Sequence, residues 1–279
     1  MNNLPKNRLF TRYGPWAVVT GASSGIGRAS AVELAAAGLN VILVARNEAE
    51  LSRLAFEISS RHGGHAVTVA ADLSLPAGVD AVRTAAAERD VGLLVAAAGF
   101  GTAGAFLDAN EPEECAMLEV NCRAVLALSL HFGRRFAERG RGGMVLFGSL
   151  VAYQGVPRAA HYAATKAYVQ SLAEALHVEL APRGVDVLAV APGPVRSGFG
   201  ARSQMRMGMA DKPEPVARAA LSALGRSMSV VPGRVGKLLT YSLMTAPRAL
   251  RVRIMAKIMG GMTAHLGHSK VAPKKAASI

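Results

Sequence analysis

The sequence predicts an α/β fold, a doubly wound parallel sheet covered by helices on both faces. Two observations carry this. Short apolar runs, near-continuous rather than alternating, recur along the first two hundred residues, as expected of strands buried on both faces. Between them lie alanine-rich segments of helical length, in the β–α alternation of a parallel sheet. A third observation fixes where the unit begins: the first run, Trp16–Thr20, leads into a glycine turn, Gly21-Ala-Ser23-Ser24-Gly25-Ile26-Gly27, that opens a helix.

From Arg28 to Ala37 the helix pattern continues, and Gly38 ends it. Asn40–Ala45 reads as the second strand, about Glu48–Arg61 as helix and Ala66–Ala71 as the third strand. Helix is predicted across Gly78–Arg89, strand at Gly92–Ala97, a longer helix over Pro112–Glu138 and strand at Met144–Phe147. A helix over about His161–Ala181 and the strand Val185–Ala191 complete the alternation. The segment Gly198–Pro215, rich in Gly, Met and Arg, reads as a flap. A helix near Pro215–Arg226 and a short strand at Ser229–Val231 run to Pro232-Gly233. The expected organisation is one domain over residues 1–233 and a basic extension over 234–279, ending in a disorder-prone tail from Pro273.

The chain has 279 residues, 51% of them hydrophobic, enough for one large core. Cys115 and Cys122 fall seven apart on the long helix, roughly 10 Å, too far for a bridge. Both are expected in the core of a protein from a reducing compartment. Lys6, Arg8 and Arg12 are not followed by an apolar signal core, and no run of about 18 apolar residues suggests a membrane span. A cytoplasmic location is the expectation. From residue 201 onward fourteen lysines and arginines face only Asp211 and Glu214, a net of +12 out of the chain's +13. The main domain is therefore nearly neutral and not built for a polyanion. Few aromatics accompany the C-terminal cations, so nucleic-acid binding by base stacking is poorly served.

The chemistry-bearing stretch runs from Ser149 to Lys166. Tyr162 and Lys166 are four apart on a helix, so both leave one face. A free tyrosine has a pKa near 10. A cation about 4 Å away could supply the roughly 4 kcal/mol needed to bring it to about 7, at an effective dielectric of about 20. On this expectation Lys166 makes Tyr162 a general acid and base, and Ser149 hydrogen-bonds the oxygen that gains or loses the proton. Tyr-x-x-x-Lys alone is a common pattern, and its plainer reading is an ordinary helix. The glycine turn adds to it. Such a turn lets the backbone approach a pyrophosphate at a helix N-terminus.

Thr20-Gly21-x-x-x-Gly25-x-Gly27, Asp72, Asn121, Ser149, Tyr162-x-x-x-Lys166 and Pro192-Gly193 occur in order. Together they resemble the short-chain dehydrogenase/reductase family, over roughly residues 14 to 235, and most of all its ketoacyl-reductase and hydroxysteroid-dehydrogenase-like members. The resemblance implies a Rossmann-type fold, a nicotinamide dinucleotide and subunit pairing as a homodimer or homotetramer. It implies that Tyr162 donates a proton to a carbonyl and that Lys166 tunes Tyr162 and holds the nicotinamide ribose. Ser149 would position the carbonyl, and Asn121 would order a water leading to Lys166. Cofactor contacts would come from Gly21, Ser23, Ser24, Gly25, Ile26 and Gly27. Further contacts would come from Asp72, Leu73, Ala98 and Gly99, and from Pro192, Gly193, Val195 and Ser197 around the carboxamide. The plainer readings are a locally bonded helical asparagine for Asn121 and a strand-end cap for Asp72. The family's Asn-Asn-Ala-Gly is Ala96-Ala97-Ala98-Gly99 here, which removes side-chain ties between neighbouring strands.

Charge argues for the cofactor. An acidic residue at the end of the second strand would favour NAD and repel a 2′-phosphate. Ala45 stands there, followed by Arg46, whose guanidinium can pair with a phosphate through two parallel hydrogen bonds. NADP(H) is the expected cofactor, against the plainer reading of Arg46 as a solvated surface charge. No metal is expected: His161 points about 100° round the helix from Tyr162, and His265 and His268 lie in the tail. Phe199, Met205, Met207 and Met209 in the flap suit an apolar ligand or simply pack the flap. In the extension, Leu250, Ile254, Ile258 and Met262 share one side of a helix, with Arg253 and Lys257 facing away and Arg251 intruding. Residues 235–262 could pack on the domain, contact a subunit or lie on an anionic membrane. The functional expectation is an NADP(H)-dependent reductase or dehydrogenase of an apolar ketone or secondary alcohol. The rival is a catalytically idle cofactor-binding scaffold recruited through its basic extension.

Overall fold

The computed structural model describes residues 6–203, 205–206 and 210–266. Met207, Met209, His268 and the tail from Pro273 lie outside the described residues.

Seven parallel strands form one sheet in the order β3-β2-β1-β4-β5-β6-β7. These are β1 Trp16–Thr20, β2 Asn40–Ala45, β3 Ala66–Ala70, β4 Val91–Ala96, β5 Gly142–Phe147, β6 Val185–Val190 and β7 Ser229–Val230. The chain first winds outward from β1 to β3, then returns to place β4 on the other side of β1. A crevice opens outside the carboxyl ends of the strands at that reversal. Registers are direct, Val18 facing Ile42 on one side and Leu94 on the other. The inner strands are buried on both faces, which explains their unbroken apolar sequence.

Helices cover the two faces. On one lie α2 (Gly25–Ala36), α3 (Glu48–His62) and α9 (Pro213–Ala223), whose Leu34, Leu54, Ile58 and Leu221 enter one core. On the other lie α4 (Pro76–Ala86), α6 (Ala124–Glu138) and α7 (Ala160–Leu180), whose Val82, Phe132, Phe136 and Val169 enter the second. The Asn47 side chain caps α3 by accepting from Glu50 N, and Gly63 ends it in the left-handed conformation. A helix the sequence did not signal, α1 (Lys6–Tyr13), buries Leu9 and Tyr13 and anchors the Tyr13 hydroxyl on Asp186 at 2.7 Å.

The long helix expected over Pro112–Glu138 is not uniform. α5 (Glu111–Leu118) and α6 are joined by one π-helical turn, Glu119–Arg123. The run 111–138 is long and apolar enough to cross a membrane by length and composition. Its Leu128, Phe132 and Phe136 are nevertheless packed into the core. The π turn also corrects the cysteine expectation. It slips the helical phase, so a seven-residue spacing no longer keeps both thiols on one face. Cys122 is buried and Cys115 is exposed.

Beyond β6, the short α8 (Phe199–Ser203) lies in the flap. The flap returns through hydrogen bonds from Asp211 N to Pro194 O (2.9 Å) and from Arg196 N to Asp211 O (2.8 Å). The extension forms α10 (Arg234–Met244) and α11 (Arg248–Thr263), which fold back over the domain. Arg206 N donates to Met262 O at 3.0 Å and the Arg158 guanidinium to Thr263 O at 3.3 Å, fastening α11 to the flap and to the loop before α7. The buried stripe of α11 is Met255, Met259 and Thr263. The Leu250, Ile254, Ile258 and Met262 side of the wheel is less buried, with Leu250 and Ile258 exposed. Arg251 is absorbed by donating to Ala246 O in the link between α10 and α11.

Candidate active site

The carboxyl ends of the strands open into a cavity of about 570 Å³. One end is built by the turn after β1. A side chain at Gly27 would place its Cβ 2.2 Å from Gly21 O, and one at Gly21 would stand 2.9 Å from the Ala97 and Ala98 backbone. Glycine is required at both points because backbone fills the space. Gly21 and Gly25 also hold positive φ, 69° and 55°. Ser23, Ser24 and Ile26 line the cavity with them, and Ser24 begins α2 with its side chain free of any capping bond.

Arg46, exposed just after β2, lines the same end. Asp72 and Leu73, after β3, lie beside it. Asp72 Oδ1 accepts from Ser74 N (2.9 Å) and Ser74 Oγ (2.8 Å), and these bonds hold its carboxyl below the usual range. Asp72 thus makes the strand-end turn of the plainer reading while also facing the cavity. Ala98 and Gly99 line the floor after β4. Here Thr20 Oγ1 accepts from Ala98 N at 3.0 Å. A β1 hydroxyl therefore ties the two central strands where Ala96-Ala97 provides no side-chain bond.

Ser149 follows β5 and opens a 3₁₀ turn, accepting from Val151 N at 3.3 Å. Its side chain hydrogen-bonds the Tyr162 hydroxyl. Lys166 Nζ donates to Phe147 O at 2.9 Å and stands 6.0 Å from the Tyr162 ring centroid. All three are buried and line the cavity. The expected lowering of Tyr162 is corrected. Burial pushes its phenol up to about 12, opposed only by the Ser149 hydrogen bond. Lys166 is pulled down to about 8, mainly by burial. Desolvation penalises the charged form of each.

Asn121 sits in the π turn one layer behind the cavity wall. Its Nδ2 donates to Phe100 O (2.8 Å) and Thr165 Oγ1 (3.0 Å), and its Oδ1 accepts from Phe100 N (3.1 Å). A Cβ at Gly99 would meet Asn121 Oδ1 at 2.9 Å and Lys166 Nζ at 3.3 Å, so both flank that glycine. The structure brings Asn121 to Lys166 across Gly99 rather than to the substrate space. His161 turns away, with Nδ1 2.9 Å from Glu114 Oε2.

Pro192, Gly193, Val195 and Ser197 close the far wall. Pro192 O accepts from Leu150 N at 3.1 Å, joining this wall to the Ser149 turn. Phe199 lies on Tyr162, ring centroids 5.3 Å apart. Several contributors were not singled out from the sequence. Arg202 stacks over Phe100 at 3.6 Å within reach of Arg46 and Asp72, and its charge is disfavoured by burial and by Arg46. Gln154, Met255 and Met259 also line the cavity. A lone arginine in a flap and methionines a hundred residues from Tyr162 carry no local signal; only the tertiary return of α11 unites them. Among the described residues no cluster of His, Cys, Asp or Glu could hold a metal ion.

The crevice at the strand reversal, the glycine cradle and the buried Ser–Tyr–Lys set define an oxidoreductase site of the dinucleotide-binding type. The short chain dehydrogenase family model matches residues 15–207, and the chain belongs to that family. It is 30% identical over 236 residues to a 7beta-hydroxysteroid dehydrogenase of Collinsella aerofaciens, covering 82% of this chain and 90% of that one. It is 35% identical to a very-long-chain 3-oxoacyl-CoA reductase of Meyerozyma guilliermondii, covering 78% and 68%. A solved structure from work on 7beta-hydroxysteroid dehydrogenase stereoselectivity superposes with a TM-score of 0.82 at 29% identity, over 88% of this chain and 98% of that one. A short-chain dehydrogenase from Sphingobium yanoikuyae in complex with NADPH gives 0.74 at 29% identity, over 84% and 97%. The protein is an oxidoreductase acting on alcohol or ketone groups.

Proposed function

We propose that the chain is an NADP(H)-dependent oxidoreductase that interconverts a ketone and a secondary alcohol on an apolar, acyl- or steroid-like substrate, with Tyr162 as acid and base. The observation that carries this is a single cavity with two different ends. A glycine cradle and Arg46 form one, an apolar wall of Phe199, Met205, Met255 and Met259 the other, and the hydrogen-bonded Ser149 and Tyr162 hydroxyls lie within it.

The residues fit a dinucleotide phosphate. The cradle leaves backbone, not side chain, at the closest approach, and α2 presents its N-terminus there. Arg46 would pair the 2′-phosphate, with Arg202 adding positive charge nearby. The NADPH held by the Sphingobium relative supports this choice. When bound, NADP(H) supplies or accepts the hydride.

The chain's own residues handle the proton. With its pKa near 12 the Tyr162 phenol is protonated at neutral pH, the form that can donate to a carbonyl oxygen as negative charge grows there. Ser149 gives a second hydrogen bond to that oxygen. Lys166, mostly charged at neutral pH with its pKa near 8, stabilises the phenolate left behind. Phe147 O fixes the amine, and Asn121 braces Phe100 and Thr165 behind it. The methionine wall can mould to an irregular apolar body. Relatives named for hydroxysteroid and very-long-chain oxoacyl substrates support that class.

The complete Ser149, Tyr162 and Lys166 set speaks against an idle scaffold. Subunits would pair through α5 and α6, where Leu118, Leu126 and Leu130 are exposed. The test is a panel of bulky and small ketones and alcohols with NADPH, NADH and their oxidised forms, using Tyr162→Phe as the blank. Turnover of bulky apolar ketones with NADPH that is lost in Tyr162→Phe is expected. Turnover unaffected by the substitution would sink the mechanism.

A further inference from the structure

The helices α10 and α11 use one side to wall the cavity and leave the other outside. Gly236 and Thr240 on α10, and Met255 and Met259 on α11, are buried. The outer side of α10 carries Leu238, Tyr241 and Met244 at i, i+3 and i+6, which are 71%, 59% and 45% exposed. Leu250 at the start of α11 is 47% exposed. Lys237, Arg248, Arg253 and Lys257 on the same two helices are exposed as well. The sequence holds no Asp or Glu after Glu214. None of the four is in an ion pair among the described residues. Exposed large apolar side chains and unpaired cations together on one helix pair are the pattern of a surface that sits in a negatively charged bilayer interface.

A second copy of this chain is a poor occupant. A two-fold contact would bring this cationic patch against its own copy, like charge on like charge. A nucleic acid would use the cations but not the exposed Leu238, Met244 and Leu250. Ile258 adds a third consideration, because it lines the cavity and is still 38% exposed. Cavity wall and outer surface therefore meet at Ile258 on α11.

We propose that the α10–α11 face docks on membranes containing anionic lipid, so that an apolar substrate dissolved in the bilayer reaches the cavity without crossing water. The docking rests on the exposed face alone and is read without turnover, so its failure and that of the proposed reaction are distinguishable.

The experiment is co-sedimentation of the full chain with phosphatidylcholine vesicles, with phosphatidylcholine–phosphatidylglycerol vesicles, and separately a gel-shift titration with duplex DNA. Expected is binding to the anionic vesicles at least ten-fold tighter than to neutral ones, weakened by salt. Each cation near an anionic surface is worth about five-fold in affinity. The combined Lys237→Gln, Arg248→Gln and Arg253→Gln variant should therefore lose roughly 100-fold. A Leu238→Ser, Tyr241→Ser variant keeps the charge and should also lose binding, which pure electrostatics does not predict. Both change exposed positions outside the site, so turnover of a water-soluble ketone should persist and certify folding. Equal binding to both vesicle types, vesicle binding unchanged by either variant, or capture by DNA with none by vesicles would overturn the proposal.

Discussion

Lys166 offers the sharpest physical handle on the site. Burial lowers its pKa from the ordinary 10.5 to about 8. At about 1.4 kcal/mol per unit, holding that charge in the folded state at neutral pH costs about 3 kcal/mol. The unfolded chain keeps this proton up to 10.5, whereas the folded chain releases it from about 8. Between those values the unfolded state binds more protons, so this lysine's penalty shrinks as pH rises. Below about 8 the penalty is full. Lys166→Met removes the titration. The Nζ bond to Phe147 O is lost too, but that loss offsets both ends of the pH range alike. Urea unfolding followed by circular dichroism, at about pH 7.5 and about pH 9.5, isolates the difference. The wild type should gain about 2 kcal/mol relative to Lys166→Met across that interval. Parallel curves, or a wild type that loses ground, would refute the reasoning that desolvation dominates at this position.

Three further outcomes follow from named contacts. Gly27→Ala puts a methyl 2.2 Å from Gly21 O; overpacking of this kind costs about 1–3 kcal/mol, so a lower melting temperature and weaker NADPH binding by calorimetry are expected. Arg46→Ala should raise the KM for NADPH by roughly ten- to a hundred-fold, the worth of a charge-assisted bidentate pair, while leaving NADH kinetics unchanged; an equal effect on both cofactors would remove Arg46 from the phosphate. Asn121→Ala leaves buried Phe100 N and O without their partners, at about 1–3 kcal/mol each. Its unfolding midpoint should fall, and a stability equal to wild type would show that the network is not structural.

The sheet was legible because each strand is an apolar run bounded by turn residues. The cofactor side of the site was legible because Gly21, Gly25 and Gly27 are spaced by backbone geometry, which local sequence encodes. Tyr162 and Lys166 share a helix face for the same reason. What escaped was tertiary. The Tyr162 pKa depends on its burial, with Phe199 packed on the ring, not on the four-residue spacing. The π turn that aims Asn121 at Phe100 and Thr165 has no signal in Glu119–Arg123. α1 reads as a basic N-terminus until Tyr13 meets Asp186, 173 residues away. In the extension it is Met255 and Met259, not the aliphatic side of the wheel, that are buried in the cluster holding Tyr162.

The central claim is hydride transfer to a ketone carbon with Tyr162 supplying the proton. NADPH carrying deuterium at the transferable position, a bulky apolar ketone and product analysis by mass spectrometry address it directly. One deuterium at the carbinol carbon of a secondary alcohol is the expected result, with product formation by Tyr162→Phe at least a hundred-fold slower. Product without deuterium, or labelled product formed equally well by Tyr162→Phe, would contradict it.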